Sequence, residues 1–280
     1  MTDLFQSDLS ALARQIPPGA SVAINKGEGP DVPMALAKEI VRQGIRGLKL
    51  ITIPASALPV SGMMVDMLIG AGCVKSIETS GVSMSELGAA PRFTKAVKDG
   101  ALQVLDATCP AVLAALHAGA KGQPFASLRG IVGSDLEKHR DDFKLIDNPF
   151  EPGDPVVVLK AINPDVAIFH ARYADRDGNV WIGRHRDQLF MAHASKKVLV
   201  TVEEVVDRNF YDDEAMVTGM IPSFYIDAIC EAPGGALPMG LDGNANIKAV
   251  LAYMAAARTD EGFQAWLDEN VLAGAKAAAE

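Results

Sequence analysis

The sequence predicts an α/β protein with a mainly parallel sheet covered by helices on both faces. Two observations support this. Apolar runs such as "PVVVL", "DVAIFHA" and "KVLVTV" are nearly continuous, as in parallel strands buried on both faces, whereas half-exposed strands alternate. Segments with helix signals separate these runs, which gives the strand–helix rhythm of a doubly covered sheet. The predicted strands are residues 21–24, 48–53, 74–77, 101–105, 156–159, 166–170 and 198–202.

Capping residues mark the predicted helices. Asp31 is expected to cap a helix that has Pro33 in its first turn and ends at Gly44. A second helix is predicted over residues 91–99, followed by Gly100. Thr108 is expected to cap a third helix. The Ala-rich stretch 247–280 is predicted to be helical. We therefore expect one domain over residues 1–280.

One stretch lacks this rhythm. Residues 122–154 are polar, contain several prolines and have little periodicity. The strand–helix alternation resumes after them. We therefore expect a long surface excursion at about 122–155 and not a linker between domains.

Composition limits the classes of function. The chain has 280 residues and a formal net charge of −9, which argues against sequence-independent binding of nucleic acid. No apolar run is long enough for a membrane span, and the acidic N-terminus does not resemble a signal peptide. The three cysteines are widely spaced, which fits a reducing cytoplasm, and no histidine spacing indicates a metal site. We expect no metal and no permanently bound cofactor.

The stretch "INKGEGPDVPMAL" contains the first candidate site. An apolar run, a Gly-rich turn and a helix start in this order form a frequent anion-binding arrangement. However, the loop matches neither the P-loop pattern nor the dinucleotide fingerprint, whose third glycine would fall at Val32. The alternatives are a tight turn and a loop that lines a ligand site. The candidate binding residues are Asn25, Lys26, Gly27 and Gly29, and Glu28 is a candidate catalytic carboxylate.

Two further stretches carry candidate groups. In "IETSGVSMSELGAAPRF", Glu86 is either a general base or nucleophile or a solvated charge, and Ser80 and Gly81 leave room for a ligand. In "HARYADRDGNVWIG", Asp175 to Asn179 predict a hairpin turn whose side chains bond their own backbone. His170 is expected at the carboxyl end of its strand, as a ligand-binding residue or as a structural histidine.

Two remaining signals are weaker. The run "CEAPGGALPMG" indicates a turn after an apolar strand-like segment. Cys109 lies at the start of a predicted helix, where the dipole lowers the pKa of a thiol, but buried cysteines usually act as small hydrophobes.

Together these stretches resemble the alpha (A-type) subunits of the class I coenzyme A transferases, in the glutaconate/3-oxoacid branch. The similarity is carried in order by "GPDVPMALAKEIVRQGIRGLKLIT", "GCVKSIETSG", "LGAAPRFTKAVKDGAL", "RGIVGSDL", "PDVAIFHARYADRDGNVWIGR", "AHASKKVLVTVEEVVD" and "IDAICEAPGGALP".

The resemblance implies a sugar-isomerase-like α/β fold and an active site shared with a B-type subunit. In such transferases a glutamate of the B-type chain attacks the acyl-CoA thioester. An anhydride and then an enzyme–CoA thioester follow, and an acceptor carboxylate collects CoA. The resemblance thus implies an acyl-CoA and a carboxylate as substrates, a B-type partner chain and a main nucleophile outside this chain.

The sequence departs from the family at the glycine loop. The family loop reads Gly-Gly-aromatic before a small residue and proline, whereas this chain has Lys26, Gly27, Glu28, Gly29 and Pro30. A related branch hydrolyses carbon–carbon bonds in steroid-derived acyl-CoA thioesters, and its acidic residue falls near "LDATCP". The first hypothesis is therefore a transferase subunit. The alternatives are a subunit of such a hydrolase, with Glu86 or Glu28 as base, and a non-catalytic CoA-binding subunit.

The sequence also suggests which residues select the acyl group. A short dicarboxylate calls for a positive group that faces the acyl pocket, and a steroid calls for a wide apolar pocket. The candidate cations are Lys26, Arg172, Arg184 and Arg186.

Overall fold

The computed structural model describes residues 4–273, and a largely parallel sheet is its central element. The strands, in chain order, are β1 (Ser21–Asn25), β2 (Leu48–Ile53), β3 (Val74–Thr79), β4 (Gln103–Asp106), β5 (Phe125–Leu128), β6 (Phe143–Asp147), β7 (Pro155–Lys160), β8 (Val166–Asp175), β9 (Val180–Trp181), β10 (Val198–Val206), β11 (Met220–Ile221) and β12 (Ala228–Glu231). The order β12-β10-β8-β1-β2-β3-β4 is parallel throughout, while β9 and β11 are added antiparallel. The predicted fold class is confirmed.

Helices cover both faces of this sheet. They are α1 (Leu9–Ala13), α2 (Met34–Arg42), α3 (Pro59–Gly70), α4 (Pro91–Lys98), α5 (Cys109–Ala120), α6 (Asp135–His139), α7 (Asp187–Ala194), α8 (Glu214–Val217), α9 (Ile247–Ala256) and α10 (Asp260–Leu267). Within residues 4–273, no helix is long and apolar enough to cross a lipid bilayer.

Consecutive strand residues belong to different cores, which explains the continuous apolar runs. On β8, Ile168 packs in the core formed with α2, α3, α9 and α10, and Phe169 packs in the core formed with α5 and α7. On β1, Ile24 packs in the first of these cores and Ala23 in the second, and all four residues are fully buried. Burial of one large apolar side chain is worth about 1.5–3 kcal/mol, so a polar residue at any of these positions would be costly.

Several predicted helix boundaries are confirmed. The side chain of Thr108 accepts a hydrogen bond from Ala111 N at 3.2 Å and caps α5. Gly44 and Gly100 follow α2 and α4 with φ of 64° and 66°, the left-handed conformation that ends helices. The predicted cap of α2 is wrong. Pro33 occupies the cap position without a side-chain bond, because the carboxylate of Asp31 is engaged elsewhere.

The stretch 122–155 has more structure than its sequence suggests. It contains β5, α6 and β6, and its two strands join β7 in a separate three-stranded antiparallel sheet of order β5-β7-β6. The predicted strand 156–159 therefore does not belong to the parallel sheet. Antiparallel pairing needs no crossover helix, so an apolar strand such as β7 can pair with strands that lie near it in the chain. Arg140, which is buried, ties this region to the main sheet through Glu78 on β3 at 2.8 Å.

The hairpin predicted around Asp175 is present. Strand β8 pairs with β9 antiparallel, and Asp175 Oδ1 accepts hydrogen bonds from Asp177 N and Asn179 N at 3.1 and 2.8 Å. Gly178 has φ of +85°, which this tight turn requires. Because β8 continues to Asp175, His170 lies inside the strand and not at its end. Pairing with β1 nevertheless stops at Ile168, so His170 lies just past the carboxyl end of β1.

The C-terminal helices pack as a cover over one face. Val250 and Tyr253 of α9 and Phe263 of α10 are buried in the core that includes α3. Tyr253 Oη donates a hydrogen bond at 2.7 Å to Asp66, a buried carboxylate of α3. This agrees with the predicted helical C-terminal part as far as residue 273, and residues 274–280 of that prediction lie outside the described residues.

Candidate active site

The glycine loop, defined here as residues 26–33, leads from the carboxyl end of β1 to α2. Gly27 has φ of +72°, and a Cβ there would lie 2.6 Å from Val32 Cγ2 and 2.8 Å from Ser61 Cβ. Only glycine meets both conditions without strain, since other residues rarely adopt this φ and any side chain would collide. The loop is therefore held closely against the first turn of α3.

Asp31 is the centre of a buried hydrogen-bond cluster within this loop. Its carboxylate accepts hydrogen bonds from Asn25 Nδ2 at 2.7 Å, Gly29 N at 3.1 Å and Gln188 Nε2 at 3.1 Å. His185 Nδ1 lies 3.4 Å from the same carboxylate. Burial raises the pKa of Asp31, and His185 and the Gly29 N–H partly offset this rise. The cluster fixes the glycine loop to the segment that begins α7.

Two buried acceptors remain in this cluster. Asn25 and Gln188 each use the amide NH₂ on Asp31, and Asn25 Oδ1 and Gln188 Oε1 are buried without a hydrogen-bond partner. Both residues line a cavity of about 100 Å³ beside the loop. A cavity of this volume admits a few water-sized groups.

Lys26 and Glu28 form the exposed side of the loop. Lys26 Nζ lies 3.1 Å from Glu28 Oε1 and 3.4 Å from Asp187 Oδ2. Partial burial lowers the pKa of Lys26, but Glu28 and Asp187 outweigh burial, so the net pKa is raised. The ammonium is therefore already compensated, and Glu28, whose side chain is 50% exposed, is held as an ion-pair partner.

A larger cavity of about 490 Å³ opens on the other side of the loop. Its walls come from the glycine loop, the middle of β8, the segment from the end of β9 to the start of α7, and the 241–243 loop. The lining residues are Glu28, Gly29, Pro30, Asp31, His170, Ala171, Arg172, Trp181, Ile182, Gly183, Arg184, His185, Gln188, Leu241, Asp242 and Gly243. The volume lies within the range of small-ligand sites, and the walls combine apolar surface with a few charged groups. We refer to this space as the larger cavity.

His170 lies at the edge of this cavity and is fully buried. Its Nδ1 is 2.8 Å from Thr201 Oγ1, and its Nε2 is 2.9 Å from Glu203 Oε1. Burial raises the pKa of Glu203, but the hydrogen bonds from His170 and Gly234 N outweigh it, and the net pKa is lowered. A Cβ on Gly235 would lie 2.6 Å from His170 Cε1. The "PGG" turn is thus part of this network.

Ser80 and Gly81 lie at a different point of the same sheet edge, after β3. Ser80 Oγ donates to Pro54 O at 3.0 Å and lies 3.1 Å from Cys109 Sγ at the start of α5. Gly81 N donates to Thr79 Oγ1 at 3.0 Å, and a Cβ on Gly81 would meet open space. Cys109 is exposed. Neither Ser80 nor Gly81 lines the two cavities beside the glycine loop.

Glu86 lies on a short 3-10 turn (Ser85–Leu87) and is exposed. Hydrogen bonds from its own backbone N–H and from the Ser85 side chain lower its pKa. It lines neither cavity beside the glycine loop. Its catalytic role stays a prediction without support from this arrangement.

The structure thus brings together part of the predicted site. One or both cavities beside the glycine loop are lined by five of the predicted residues: Asn25, Lys26, Glu28, Gly29 and His170. Gly27 lines neither cavity and instead packs against Val32 and Ser61. Sequence reasoning missed four groups of this site: the buried role of Asp31, and His185, Gln188 and Glu203. The available signals were the polar run "GRHRDQ" directly after the hairpin and the two glutamates that end the apolar run "VLVTVEE".

Comparisons with known proteins agree with this architecture. The profile of the family described as "Coenzyme A transferase" matches residues 7–232. The A-type subunit of 3-oxoadipate CoA-transferase from Pseudomonas knackmussii is 34% identical over 93% of this chain and 91% of that protein.

Solved structures are similar over nearly the whole chain. Glutaconate coenzyme A-transferase from Acidaminococcus fermentans matches with a TM-score of 0.85 and 29% identity, over 97% of this chain and 89% of that chain. A variant of the decarboxylase AibA/AibB matches with a TM-score of 0.80 and 30% identity, over 96% of this chain and 100% of that chain.

Proposed function

This chain belongs to the coenzyme A transferase family and is a CoA-transferase chain of the A (alpha) type, and we propose that it acts only together with a B-type partner chain. The pair moves CoA between an acyl-CoA thioester and a free carboxylate. The observation that carries this proposal is the larger cavity, which the glycine loop, His170 and two arginines border at the carboxyl edge of the sheet. Ligands of open α/β sheets bind at this edge.

The proposed roles separate covalent chemistry from substrate binding. A glutamate of the partner attacks the thioester carbonyl, so that the C–S bond breaks and CoA leaves as a thiolate. The thiolate then attacks the glutamyl carbonyl of the resulting anhydride and releases the first acid. In the second half, the acceptor carboxylate attacks the glutamyl–CoA thioester and expels CoA as a thiolate, which gives a second anhydride. The thiolate then attacks the acyl carbonyl of the acceptor, so that the new acyl-CoA forms and the glutamate carboxylate is released. This chain supplies the cavity in which the acids are oriented, and Asn25, Lys26, Gly27 and Gly29 shape its loop.

The absence of a well-placed nucleophile on the described part of this chain supports the division of labour. Glu28 is half exposed and paired with Lys26, and Glu86 is exposed on a surface turn. Neither carboxylate is in the desolvated setting that activates a nucleophile or general base. Asp106 and Cys109, near which the hydrolase branch has its acidic residue, are exposed at the end of β4 and the start of α5.

Reconstitution with a B-type chain tests the proposal. We expect the pair to transfer CoA from an acyl-CoA to a free acid, and either chain alone to have no measurable activity. The Glu28→Gln and Glu86→Gln variants of this chain, paired with the wild-type partner, are expected to keep transfer rates within about threefold, since neither carboxylate forms the covalent bond. Product analysis by mass spectrometry distinguishes new acyl-CoA from other products.

Other outcomes assign other chemistry. Transfer by this chain alone contradicts the division of labour. If the pair hydrolyses a carbon–carbon bond of a steroid-derived acyl-CoA without transferring CoA, and Glu28→Gln or Glu86→Gln loses this activity, the hydrolase alternative is correct. Release of CO₂ from the acyl group indicates a decarboxylase. Binding of CoA without turnover in the reconstituted pair indicates a non-catalytic subunit. We further propose a cytoplasmic location, which the odd number and wide spacing of the three cysteines support.

A further inference from the structure

Strand β4 is the last strand of the parallel sheet, and within residues 4–273 its outer edge has no partner strand. Ala107 N donates to Thr79 O at 3.0 Å, so the backbone of Ala107 faces β3. Because the backbone groups of successive strand residues point in opposite directions, those of Asp106 and of Val104 point away from β3. Arg140 Nη1 donates to Asp106 O at 2.9 Å. In the described part of the chain, Val104 N, Val104 O and Asp106 N have no hydrogen bond and are available to an added strand.

A cavity of about 680 Å³ lies along this open edge, and we refer to it as the edge cavity. All four residues of β4 form one wall, and residues 134–136 and 139–142, from α6 and the turn after it, form the other. Arg140, which bonds the outward-facing Asp106 O, belongs to the lining. The cavity therefore lies beside the edge of the sheet and not over one of its faces. A strand added to β4 lies about 4.8 Å from it and so occupies this space.

The edge cavity is acidic, and this charge decides between possible occupants. Its charged lining residues, apart from His139, are four aspartates and one arginine: Asp106, Asp135, Asp141, Asp142 and Arg140. Asp142 pairs with Arg140, and Asp135 pairs with Lys138. Asp106 and Asp141 accept hydrogen bonds only at their backbone oxygens, so their carboxylates have no partner within residues 4–273. A second copy of this edge would bring like charges together and be repelled, whereas a segment with lysine or arginine is attracted.

We propose that the outer edge of β4 binds an extended, basic segment of a different protein by strand addition. Backbone hydrogen bonds to Val104 and Asp106 supply affinity, and side-chain contacts select the segment. Val104 and Asp106 lie on the same face of β4, since side chains alternate along a strand. The segment therefore carries a lysine or arginine beside exposed Asp106 and an apolar residue beside partly buried Val104, two positions apart. This inference does not depend on the transferase function.

A short peptide with the required pattern tests the proposal. The probe is the acetylated and amidated peptide Thr-Lys-Thr-Val-Thr-Lys-Thr, in which a lysine lies two residues from the valine in either direction of pairing. A matched peptide has glutamate in place of both lysines. Binding to the full chain is measured by isothermal titration calorimetry. We expect the lysine peptide to bind and the glutamate peptide to bind at least tenfold more weakly.

Variants separate the contribution of charge from that of the backbone. Asp106→Lys is expected to weaken binding of the lysine peptide at least tenfold and to reverse the preference, so that the glutamate peptide binds more tightly. Val104→Pro removes one outward N–H group and is expected to weaken binding of the lysine peptide at least tenfold. Asp207 is exposed, pairs with Arg176 at 2.9 Å and does not line the edge cavity, so Asp207→Asn is the control and is expected to change binding less than twofold.

Amide hydrogen exchange of the wild-type chain, followed by NMR, gives a readout that does not depend on the folding of a variant. The lysine peptide is expected to slow exchange of the Val104 and Asp106 amides at least tenfold. Exchange of the Ala107 amide, which is already bonded to Thr79, is expected to stay the same.

Several results overturn the proposal. They are no binding of the lysine peptide, equal binding of the two peptides, binding that Asp106→Lys leaves unchanged, and unchanged exchange at Val104 and Asp106. Dimerisation of this chain alone, detected by analytical ultracentrifugation and abolished by Val104→Pro, also overturns the proposal and assigns the edge of β4 to a second copy.

Discussion

Replacement of Asp31 with alanine is expected to lower the free energy of unfolding by about 3–5 kcal/mol and to reduce CoA transfer by the reconstituted pair more than tenfold. The change leaves Asn25 Nδ2, Gly29 N and Gln188 Nε2 buried without an acceptor. It also removes the hydrogen bond between the glycine loop and Gln188 in the first turn of α7. Urea unfolding followed by circular dichroism measures the first effect, and initial transfer rates measure the second.

Asp31→Asn is the matched control for this prediction. An asparagine can still accept from Gly29 N, and its own NH₂ can donate to Asn25 Oδ1 and Gln188 Oε1 once those amides rotate, which keeps one hydrogen bond to each amide. We expect a loss of at most about 1–2 kcal/mol. Equal destabilisation by alanine and asparagine would contradict the role of Asp31 as the hydrogen-bonding centre of the loop.

The raised pKa of Asp31 adds a pH dependence with a definite sign. Because the folded-state pKa lies above the ordinary value of 3.8, the stabilising contribution of protonation is fully present below pH 3.8 and is lost as the pH rises through the folded pKa. The stability of wild type relative to Asp31→Asn is therefore expected to increase as the pH is lowered. A constant difference between pH 7 and pH 4 would show that this carboxyl is not desolvated.

The second large effect is expected at Gly27. Gly27→Ala combines the cost of a positive φ, about 1–2 kcal/mol, with close contacts of the new Cβ to Val32 and Ser61, at about 1–3 kcal/mol. We expect a loss of about 2–5 kcal/mol in the free energy of unfolding. Relief of these contacts requires the glycine loop to move away from α3, so transfer activity is expected to fall as well.

Gly100→Ala separates the two causes. Gly100 has φ of +66°, and a Cβ there would meet nothing within 4 Å. The variant is therefore destabilised only by the positive φ of its backbone. Gly100 lies between α4 and β4, away from both cavities beside the glycine loop. The Gly27 variant is expected to be less stable than the Gly100 variant by the clash alone. Similar losses in both variants, with full activity in each, would contradict a tightly packed glycine loop.

The parallel sheet was predictable from sequence because its strands are buried on both faces. Residues such as Ile168 and Phe169 are apolar for packing reasons alone, and that requirement gives a continuous run in the sequence. The sheet formed by β5, β6 and β7 was not predictable in the same way. Strand β6 buries only Phe143 and exposes the residues that follow, so its pattern does not differ from that of a loop.

The site was only partly predictable because its main contacts join distant segments. Asp31, two residues before Pro33, has the sequence pattern of a helix cap. No local signal indicates that Gln188, which lies 157 residues away, donates a hydrogen bond to its carboxylate. His170 was recognised from its strand, but its partner Glu203 depends on the pairing of β8 with β10. The loop glycines were recognisable, since a positive φ and a close approach select glycine whatever the tertiary contacts.

The site on which the covalent intermediate forms is the most direct test of the account. The reconstituted pair is incubated with acyl-CoA without acceptor, treated with hydroxylamine, digested and analysed by mass spectrometry. The account predicts a hydroxamate on a single glutamate of the partner chain and none on this chain, in particular none on Glu28 or Glu86. A hydroxamate on a carboxylate of this chain would contradict the division between a nucleophilic partner and a substrate-orienting A-type chain.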